Sequence, residues 1–448
     1  MTVRVDTAVI GAGFSGLAAG LRLADSKVEF AILEARDRVG GRSVTELRGA
    51  IPVEGGGQYV GPTQPHLHAW IKRFGKRVYE AYDEGDWLLD LGAGWSRQSG
   101  TWPQMSRDEA SELEQALTAL DDLAGQVPVD DPWNAPHAAE WDLATLEDWI
   151  RNTVRSRRVR DFLRISTEVL LATDWSEPSL LHSLLLVRAL GGVESAIWTA
   201  QAQRVEGGTH ALAQAAGGEL GDRVLLNSVV ERIIHEGDGT VVELRGGGRV
   251  EARNAILAIS PALANRISFA PALPQTKAKA LASMPNGDVV KSVAIYEKPF
   301  WRTEGLSGTA LSVGNATSWI YDNCWSDGRD GLLVGFAFGS SSRRLRDLSP
   351  ADRREATLSD FSDAFGSRAL HVTDFVDYAW QDEEFSAGCY SGYAPPGYWT
   401  GVGREMSAPV VPLFWAGTEN PGAWMSTIDG AIAAGQRAAD QAAASLSR

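Results

Sequence analysis

Residues 3–42, VRVDTAVIGAGFSGLAAGLRLADSKVEFAILEARDRVGGR, constrain the fold of this chain more than any other stretch. Thr7 to Ile10 reads as a buried strand, and Gly11, Gly13 and Gly16 form a G-x-G-x-x-G turn. Leu17 to Ala24 reads as a helix, and Val28 to Leu33 as a second apolar strand ending in Glu34. Gly11 allows the tight turn, Gly13 lets a pyrophosphate approach the backbone, and Gly16 lets the helix pack on the strand. The helix N-terminus offers free N–H groups and a positive dipole end to phosphates. Glu34 falls where an acid accepts both hydroxyls of a ribose, which argues against a 2′-phosphate. Glycine-rich turns are common, so the glycines alone say little; strand, turn, helix, strand and terminal acid together predict a dinucleotide site. The unit does not distinguish NAD from FAD.

The run Glu34-Ala35-Arg36-Asp37-Arg38-Val39-Gly40-Gly41-Arg42 follows directly. Gly40 and Gly41 permit another close backbone approach, and Arg36 and Arg42 supply guanidinium groups whose geometry matches phosphate. A second glycine pair and an arginine after the ribose acid resembles the glutathione-reductase-type FAD fold, specifically its amine oxidase branch. The resemblance implies FAD, held by Gly11, Gly13, Gly16, Glu34, Arg36, Gly41 and Arg42. It also implies an α/β fold in which a Rossmann-like FAD-binding domain is interleaved with an α+β substrate-binding domain.

At 448 residues the chain exceeds what one simple core fills, so two interleaved domains are expected. Residues 1–80, 204–287 and 388–448 are assigned to the FAD domain, and 81–203 and 288–387 to the substrate domain. A net charge of −15 argues against nucleic acid or an anionic membrane as partner. Two cysteines over this length form no disulfide framework, which points to a reducing compartment. The first strand starts too early to leave room for a signal peptide, and no run of about eighteen apolar residues occurs. Mitochondrial relatives carry a membrane anchor beyond the Ala-rich helix that starts near Gly430, and none is found here, so a cytoplasmic protein is expected. The histidines are scattered; only His66 and His68 are close, at a spacing that does not share a helix face, so no metal site is expected.

Ser43 to Leu47 and Ala50 to Val53 read as short strands leading into Glu54-Gly55-Gly56-Gly57-Gln58-Tyr59-Val60-Gly61-Pro62-Thr63-Gln64. Three glycines there would let backbone lie against a planar ring. The segment is similar to the amine oxidase pattern G-G-x-Y-V-G-P-T-Q, which implies Gly57 and Gln58 at the flavin and Tyr59 in the substrate pocket. Helical patterns then dominate at Arg107 to Leu123, Leu146 to Val154, Arg158 to Leu171 and Pro178 to Leu190, without a nucleotide signature. In this block and just after it, the resemblance places Leu171 and Gln201 at the substrate. Thr209 is a candidate N-cap of the helix that returns the chain to the FAD domain. Val230, in the strand Val229 to Ile234, is expected to hold the adenine end through its backbone.

Asp288 to Tyr296 is a strand with Lys291 inside an apolar alternation, where an ammonium needs a partner or water. It resembles the family segment whose lysine holds a water at flavin N5. The same likeness makes Trp319 and Phe336 pocket aromatics, and makes Trp380, at the end of the strand His371 to Trp380, a flavin-facing tryptophan. Phe385-Ser386-Ala387-Gly388-Cys389-Tyr390 and Leu413-Phe414-Trp415-Ala416-Gly417-Thr418-Glu419 match the flavin monoamine oxidase family. The match implies cofactor contacts at Gly417 and Glu419 and a thioether from Cys389 to the flavin 8α-methyl. It implies Tyr390 as one of two aromatic walls before the flavin, where ring faces orient a neutral amine.

The sequence departs from the pattern in Trp424-Met425-Ser426-Thr427-Ile428-Asp429-Gly430. Thr427 stands where monoamine oxidases carry a tyrosine, so a wider pocket is expected, with Thr427 and Ile428 also at the cofactor. The expected activity is FAD-dependent amine oxidation: hydride passes from the amine α-carbon to the flavin, the imine hydrolyses, and dioxygen becomes hydrogen peroxide. Catalysis is expected to involve Lys291 and Tyr390, with an amine and dioxygen as small-molecule partners and a homodimer as a further expectation. The alternatives are an amino-acid oxidase, which needs a pocket arginine, a polyamine or diamine oxidase, which needs a pocket acid, and a flavin-binding protein without turnover.

Overall fold

The computed structural model of the chain describes residues 2–235 and 239–447. Strand β1 (Thr2–Ile10) runs parallel to β2 (Phe30–Leu33), with Thr7 opposite Phe30 and Ile10 opposite Leu33. Helix α1 (Phe14–Asp25) connects them. The alternating small residues of α1 are what allow this unit to close: a Cβ on Gly16 would sit 1.8 Å from the carbonyl oxygen of Gly11. Gly11 itself has φ +97°, a turn conformation that side chains resist. On its other flank α1 takes the C-terminal helix Ile428–Leu446, where Gly435 meets the Ser15 carbonyl.

This unit lies inside an eight-stranded sheet ordered Val224–Leu225, β2, β1, Arg249–Leu257, Thr240–Leu244, Val230–Ile234 and Ser268–Ala270. Leu413–Trp415 joins it by pairing parallel with Arg249–Leu257. Buried on both faces, its central strands read as continuous apolar runs, as in Ala8-Val9-Ile10 and Ala255-Ile256-Leu257. A second, seven-stranded sheet is ordered Asp374–Ala379, Val289–Tyr296, Gly331–Phe338, Trp319–Asp322, Leu306–Ser312, Asp86–Asp90 and Ser96–Gln98. Lys291 there faces Phe336 on one neighbouring strand and Tyr378 on the other.

Helices Arg107–Gly125, Leu146–Thr153, Arg157–Leu171 and Leu180–Ala189 pack into one core with the second sheet. Two begin with reciprocal capping boxes, Ser106 with Glu109 and Thr145 with Asp148, which satisfy donors that a helix start leaves free. A short helix, Val193–Ile197, was not legible as periodicity. It follows Gly191 and Gly192, both at positive φ, where the path turns by 87°. Asp121 accepts the Val193 N–H at 2.8 Å and so starts the new helix from across the bundle. The Thr209 expectation is corrected: Gly208 caps the helix Thr209–Leu220, and the Thr209 hydroxyl is spent elsewhere. Among the described residues no single helix is long and apolar enough to cross a membrane, and no cluster of metal-ligating side chains occurs.

Candidate active site

The carboxyl ends of β1 and β2 open into a cavity of about 620 Å³ that reaches the second sheet. At its nucleotide end Glu34, 3% exposed, closes β2. Its carboxylate accepts the N–H of Ala12 at 2.7 Å and of Arg36 at 3.0 Å, which fixes the group and leaves lone pairs for hydroxyl donors. Gly11 and Gly13 line the cavity, while Gly16 lies behind them as the packing contact described above. Gly41 touches Gly13: a Cβ on Gly41 would come within 3.2 Å of the Gly13 Cα. Val230 lines the cavity together with Val229, at the start of its strand.

The two arginines are differently employed than the sequence led us to expect. Arg36 pairs with Glu383, donates to Ser386 Oγ at 2.8 Å and lies over the Phe385 ring. Arg42 pairs with Glu419 at 2.8 Å. Both still line the cavity, so each presents an edge to it while its charge is matched by a carboxylate. Glu419 is 1% exposed and lies outside the cavity wall; its Oε2 has no partner among the described residues. Gly417 does line it, and gives its N–H to Ser15 Oγ at 3.0 Å.

Toward the second sheet, Gly57 and Gln58 form the wall. A Cβ on Gly57 would meet only Ile428, at 3.9 Å, so the space above this backbone is open for a planar group. The Thr209 hydroxyl donates to the Gly57 carbonyl, and its N–H goes to Glu54 at 3.0 Å. Trp380 is not part of the wall; its indole N–H holds the Gly55 carbonyl at 3.0 Å. Lys291 is also behind the wall, 3% exposed, with Nζ 2.8 Å from the Gly56 carbonyl and 2.5 Å from Gln58 Oε1. Burial pushes this ammonium down to about 7, against the attraction of Glu54. Cys389, 4% exposed, lines the cavity with its thiol pushed up to about 11 by burial, against the pull of Arg42 and Lys291.

The far end is apolar and aromatic. Val169, Leu170, Leu186, Leu190 and Ile197 supply aliphatic surface; Tyr59, Tyr321, Phe336 and Tyr390 supply rings. Tyr59 and Tyr321 meet edge to face at 6.1 Å, and Tyr321 and Phe336 at 6.3 Å. Burial raises the phenol of each of these tyrosines, so all three stay neutral. Thr427 and Ile428 line the same space. Tyr59 Oη and Gln201 Oε1 have no partner among the described residues. Among the described residues that line the cavity, no charged side chain lies at this end: the lining charges are Glu34, Arg36, Arg42, Arg245, Arg266 and two acids beside Arg245, Glu231 and Glu384.

Two expected pocket residues are corrected. Leu171 is 5% exposed in the helical core, and its predecessors Val169 and Leu170 take the wall. Trp319 is fully buried, its N–H donated to the Ile165 carbonyl at 2.9 Å. Tyr321, two residues on along the same strand face, reaches the cavity instead, and period-two spacing was the signal that could have found it.

A cavity lined by a buried carboxylate, two glycine-rich backbone segments and a set of uncharged aromatic rings has room for a dinucleotide with a planar ring and a small apolar substrate. Residues 14–443 match the family profile of flavin-containing amine oxidoreductases, and the chain belongs to that family. It is an FAD-dependent amine oxidase, an oxidoreductase that acts on CH–NH2 groups and uses dioxygen. It is 37% identical over 445 residues to a putative flavin-containing monoamine oxidase, AofH, of Mycobacterium tuberculosis, covering 99% of this chain and 97% of that one. To the flavin-containing amine oxidase B of Bos taurus it is 32% identical, covering 98% and 86%. Among solved structures it matches putrescine oxidase bound to putrescine with TM-score 0.96, 30% identity and 100% of both chains covered. It matches cyclohexylamine oxidase from Brevibacterium oxydans with TM-score 0.94, 32% identity and coverage of 99% and 100%.

Proposed function

We propose that this amine oxidase takes monoamines, primary or N-substituted, whose carbon skeleton is an apolar alkyl or aryl group. The observation that carries this reading is the uncharged substrate end, with five aliphatic side chains, four rings and two unpartnered polar atoms. A distal ammonium would find no carboxylate there, and an α-carboxylate no guanidinium, so both charges would be buried unpaired. Tyr59 Oη and Gln201 Oε1 are free to receive an amine or the water that travels with it. Rings at Tyr59, Tyr321 and Tyr390 exclude water and favour the neutral amine that chemistry requires. Thr427 leaves room that a larger side chain would fill.

FAD, when bound, accepts hydride from the amine α-carbon and returns the electrons to dioxygen. Glu34, Gly13, Gly41, Gly57 and Gln58 would hold it, with Val230 at its adenine end, and Ile428 and Gly417 along its length. Cys389 lines the wall beside Tyr390, where a thioether to the flavin would anchor the cofactor. Lys291, as an ammonium, uses two of its three N–H groups on Gly56 and Gln58 and keeps one for a water. Residues 1–80, 204–287 and 388–448 form the cofactor domain in this reading, and 81–203 and 288–387 the substrate domain.

Anaerobic mixing with a panel of alkylamines, arylalkylamines, diamines and α-amino acids tests the reading. Bleaching of the flavin by apolar monoamines at the lowest concentrations is expected; preferential bleaching by diamines or amino acids overturns it. Acid-precipitated protein should stay yellow, and a colourless pellet with free FAD in solution removes the thioether.

A further inference from the structure

Behind the cavity wall, the Lys291 amine, the Gln58 amide and the Asn323 amide form one hydrogen-bonded line. Lys291 Nζ donates to Gln58 Oε1 at 2.5 Å, and Gln58 Nε2 donates to Asn323 Oδ1 at 2.6 Å. Gln58 is 2% exposed and Asn323 is fully buried, so water does not substitute for either bond. The polarity of the line is set at one end. A lysine ammonium only donates, so Gln58 must turn its oxygen toward it, and Asn323 must then offer oxygen to the Gln58 nitrogen.

Asn323 is itself held in place. It follows the strand Trp319–Asp322, and its N–H bonds the Leu332 carbonyl at 2.7 Å. Its own carbonyl accepts from Arg204 Nη1 at 2.9 Å, and Arg204 makes a buried ion pair with Glu54 at 2.8 Å. Trp325 and Tyr79 cover the guanidinium. With its backbone fixed, Asn323 keeps Oδ1 in reach of the Gln58 amide, while its Nδ2 has no partner among the described residues.

We infer that Asn323 is a positioning residue: by locking the Gln58 amide it fixes where the Lys291 amine sits and how firmly that amine keeps its proton. The inference rests on the reading that Lys291 serves at the cofactor. The other groups that face Lys291 are the Glu54 carboxylate and the Arg204 guanidinium, which act in opposite directions, and the Cys389 thiol. Phe336 and Tyr378 flank it on the neighbouring strands. Of these only Arg204 contacts residue 323, through the backbone carbonyl that a side-chain substitution keeps.

The chain has seven lysines, so the holoenzyme labelled with carbon-13 at lysine Cε gives few signals, and Lys291→Met identifies the one of interest. Asn323→Asp, nearly isosteric, puts a carboxylate one amide away and should raise the Lys291 titration midpoint by about one pH unit. Asn323→Leu frees Gln58 to turn and should lower the midpoint; Asn323→Ser serves in its place if that variant does not fold. Unchanged midpoints in folded, FAD-loaded variants overturn the inference. The pH profile of flavin reoxidation, followed in the same variants, separates the two readings. A midpoint that moves without moving that profile supports the positioning role and removes Lys291 from the oxygen step.

Discussion

The uncharged substrate end converts into a graded preference among amines. Each methylene transferred from water to the surface formed by Val169, Leu170, Leu186, Leu190 and Ile197 gains about 0.8 kcal/mol, close to fourfold in kcat/KM. From propylamine to heptylamine, four methylenes, the expected rise is about two hundredfold before the cavity is full. A terminal ammonium reverses the gain. With no carboxylate at that end, it must be carried in neutral, and a group with pKa near 10.4 pays about 4 kcal/mol for this at pH 7.5. Hexane-1,6-diamine should therefore fall about a thousandfold below heptylamine, a chain of similar length. Steady-state peroxide release at one pH, with both series at subsaturating concentration, measures both slopes. Leu186→Asp would put an acid in the wall and should narrow the gap between the two amines. A flat alkyl series, or a diamine within about tenfold of the monoamine, refutes the reasoning, because either result requires a charge partner or an open end that the cavity does not have.

Glu34→Ala, made in a Cys389→Ala background so that binding is reversible, removes two charge-assisted acceptor bonds and should weaken FAD by about a hundred- to ten-thousandfold. Fluorescence titration of the apoprotein reads it, and a change below about threefold would show that the carboxylate does not hold the ribose. Lys277 is fully buried and donates to the carbonyls of Glu405, Met406 and Ala408, with Nζ 3.9 Å above the Trp415 ring. Lys277→Met leaves three acceptors bare and should cost about 3 kcal/mol in denaturant unfolding; an unchanged midpoint contradicts this. The Cys389 thiol, pushed up to about 11 by burial, should alkylate in the apoprotein at a rate that climbs tenfold per pH unit through pH 10, since the thiolate is the nucleophile. A plateau near pH 9 would mean that the thiol is exposed to water.

What could be read from the sequence was what lies contiguous in it. The turn at Gly11, the helix after it and the acid at Glu34 fall within 24 consecutive residues, each with a local physical reason. The structure keeps the elements and their order, with the first strand starting five residues earlier, at Thr2, and the helix three earlier, at Phe14. The Gly55–Gln58 loop and the Cys389-Tyr390 pair were likewise recoverable as strings. The substrate end was not, because it is assembled from helices at 157–171, 180–189 and 193–197 and from one strand face. An aliphatic residue on those helices looks the same whether it faces core or cavity, so Leu171 and Val169 could not be separated by pattern. Trp319 and Tyr321 share a face, and only their depth along the strand, fixed by the bond to the Ile165 carbonyl, decides which one reaches the cavity. Arg36 and Arg42 show the complementary limit. Their partners Glu383 and Glu419 lie more than three hundred residues away, so a phosphate contact and a matched ion pair read alike.

Thr427 carries two duties that the sequence could present only as one. It lines the cavity, and it is also the N-cap of the helix Ile428–Leu446, which packs on α1 and so braces the nucleotide turn. Its hydroxyl accepts the Gly430 N–H at 3.3 Å and donates to the Trp424 carbonyl at 2.6 Å. The hydroxyl is therefore spent on the helix start, and what position 427 offers a substrate is room rather than a polar contact. The two duties separate by substitution. Thr427→Val keeps the volume and loses the cap, so the unfolding free energy should fall by about 1 kcal/mol with the order of substrates intact. Thr427→Tyr loses the cap as well but adds a ring that buries on the order of 150–250 Å², so branched and N-substituted amines should drop relative to slim primary ones. Thr427→Ser should change neither. If the tyrosine variant keeps the original order of amines, the cavity is not limited at this position, and the width inferred from the missing ring has to come from Tyr59 and Tyr321 instead.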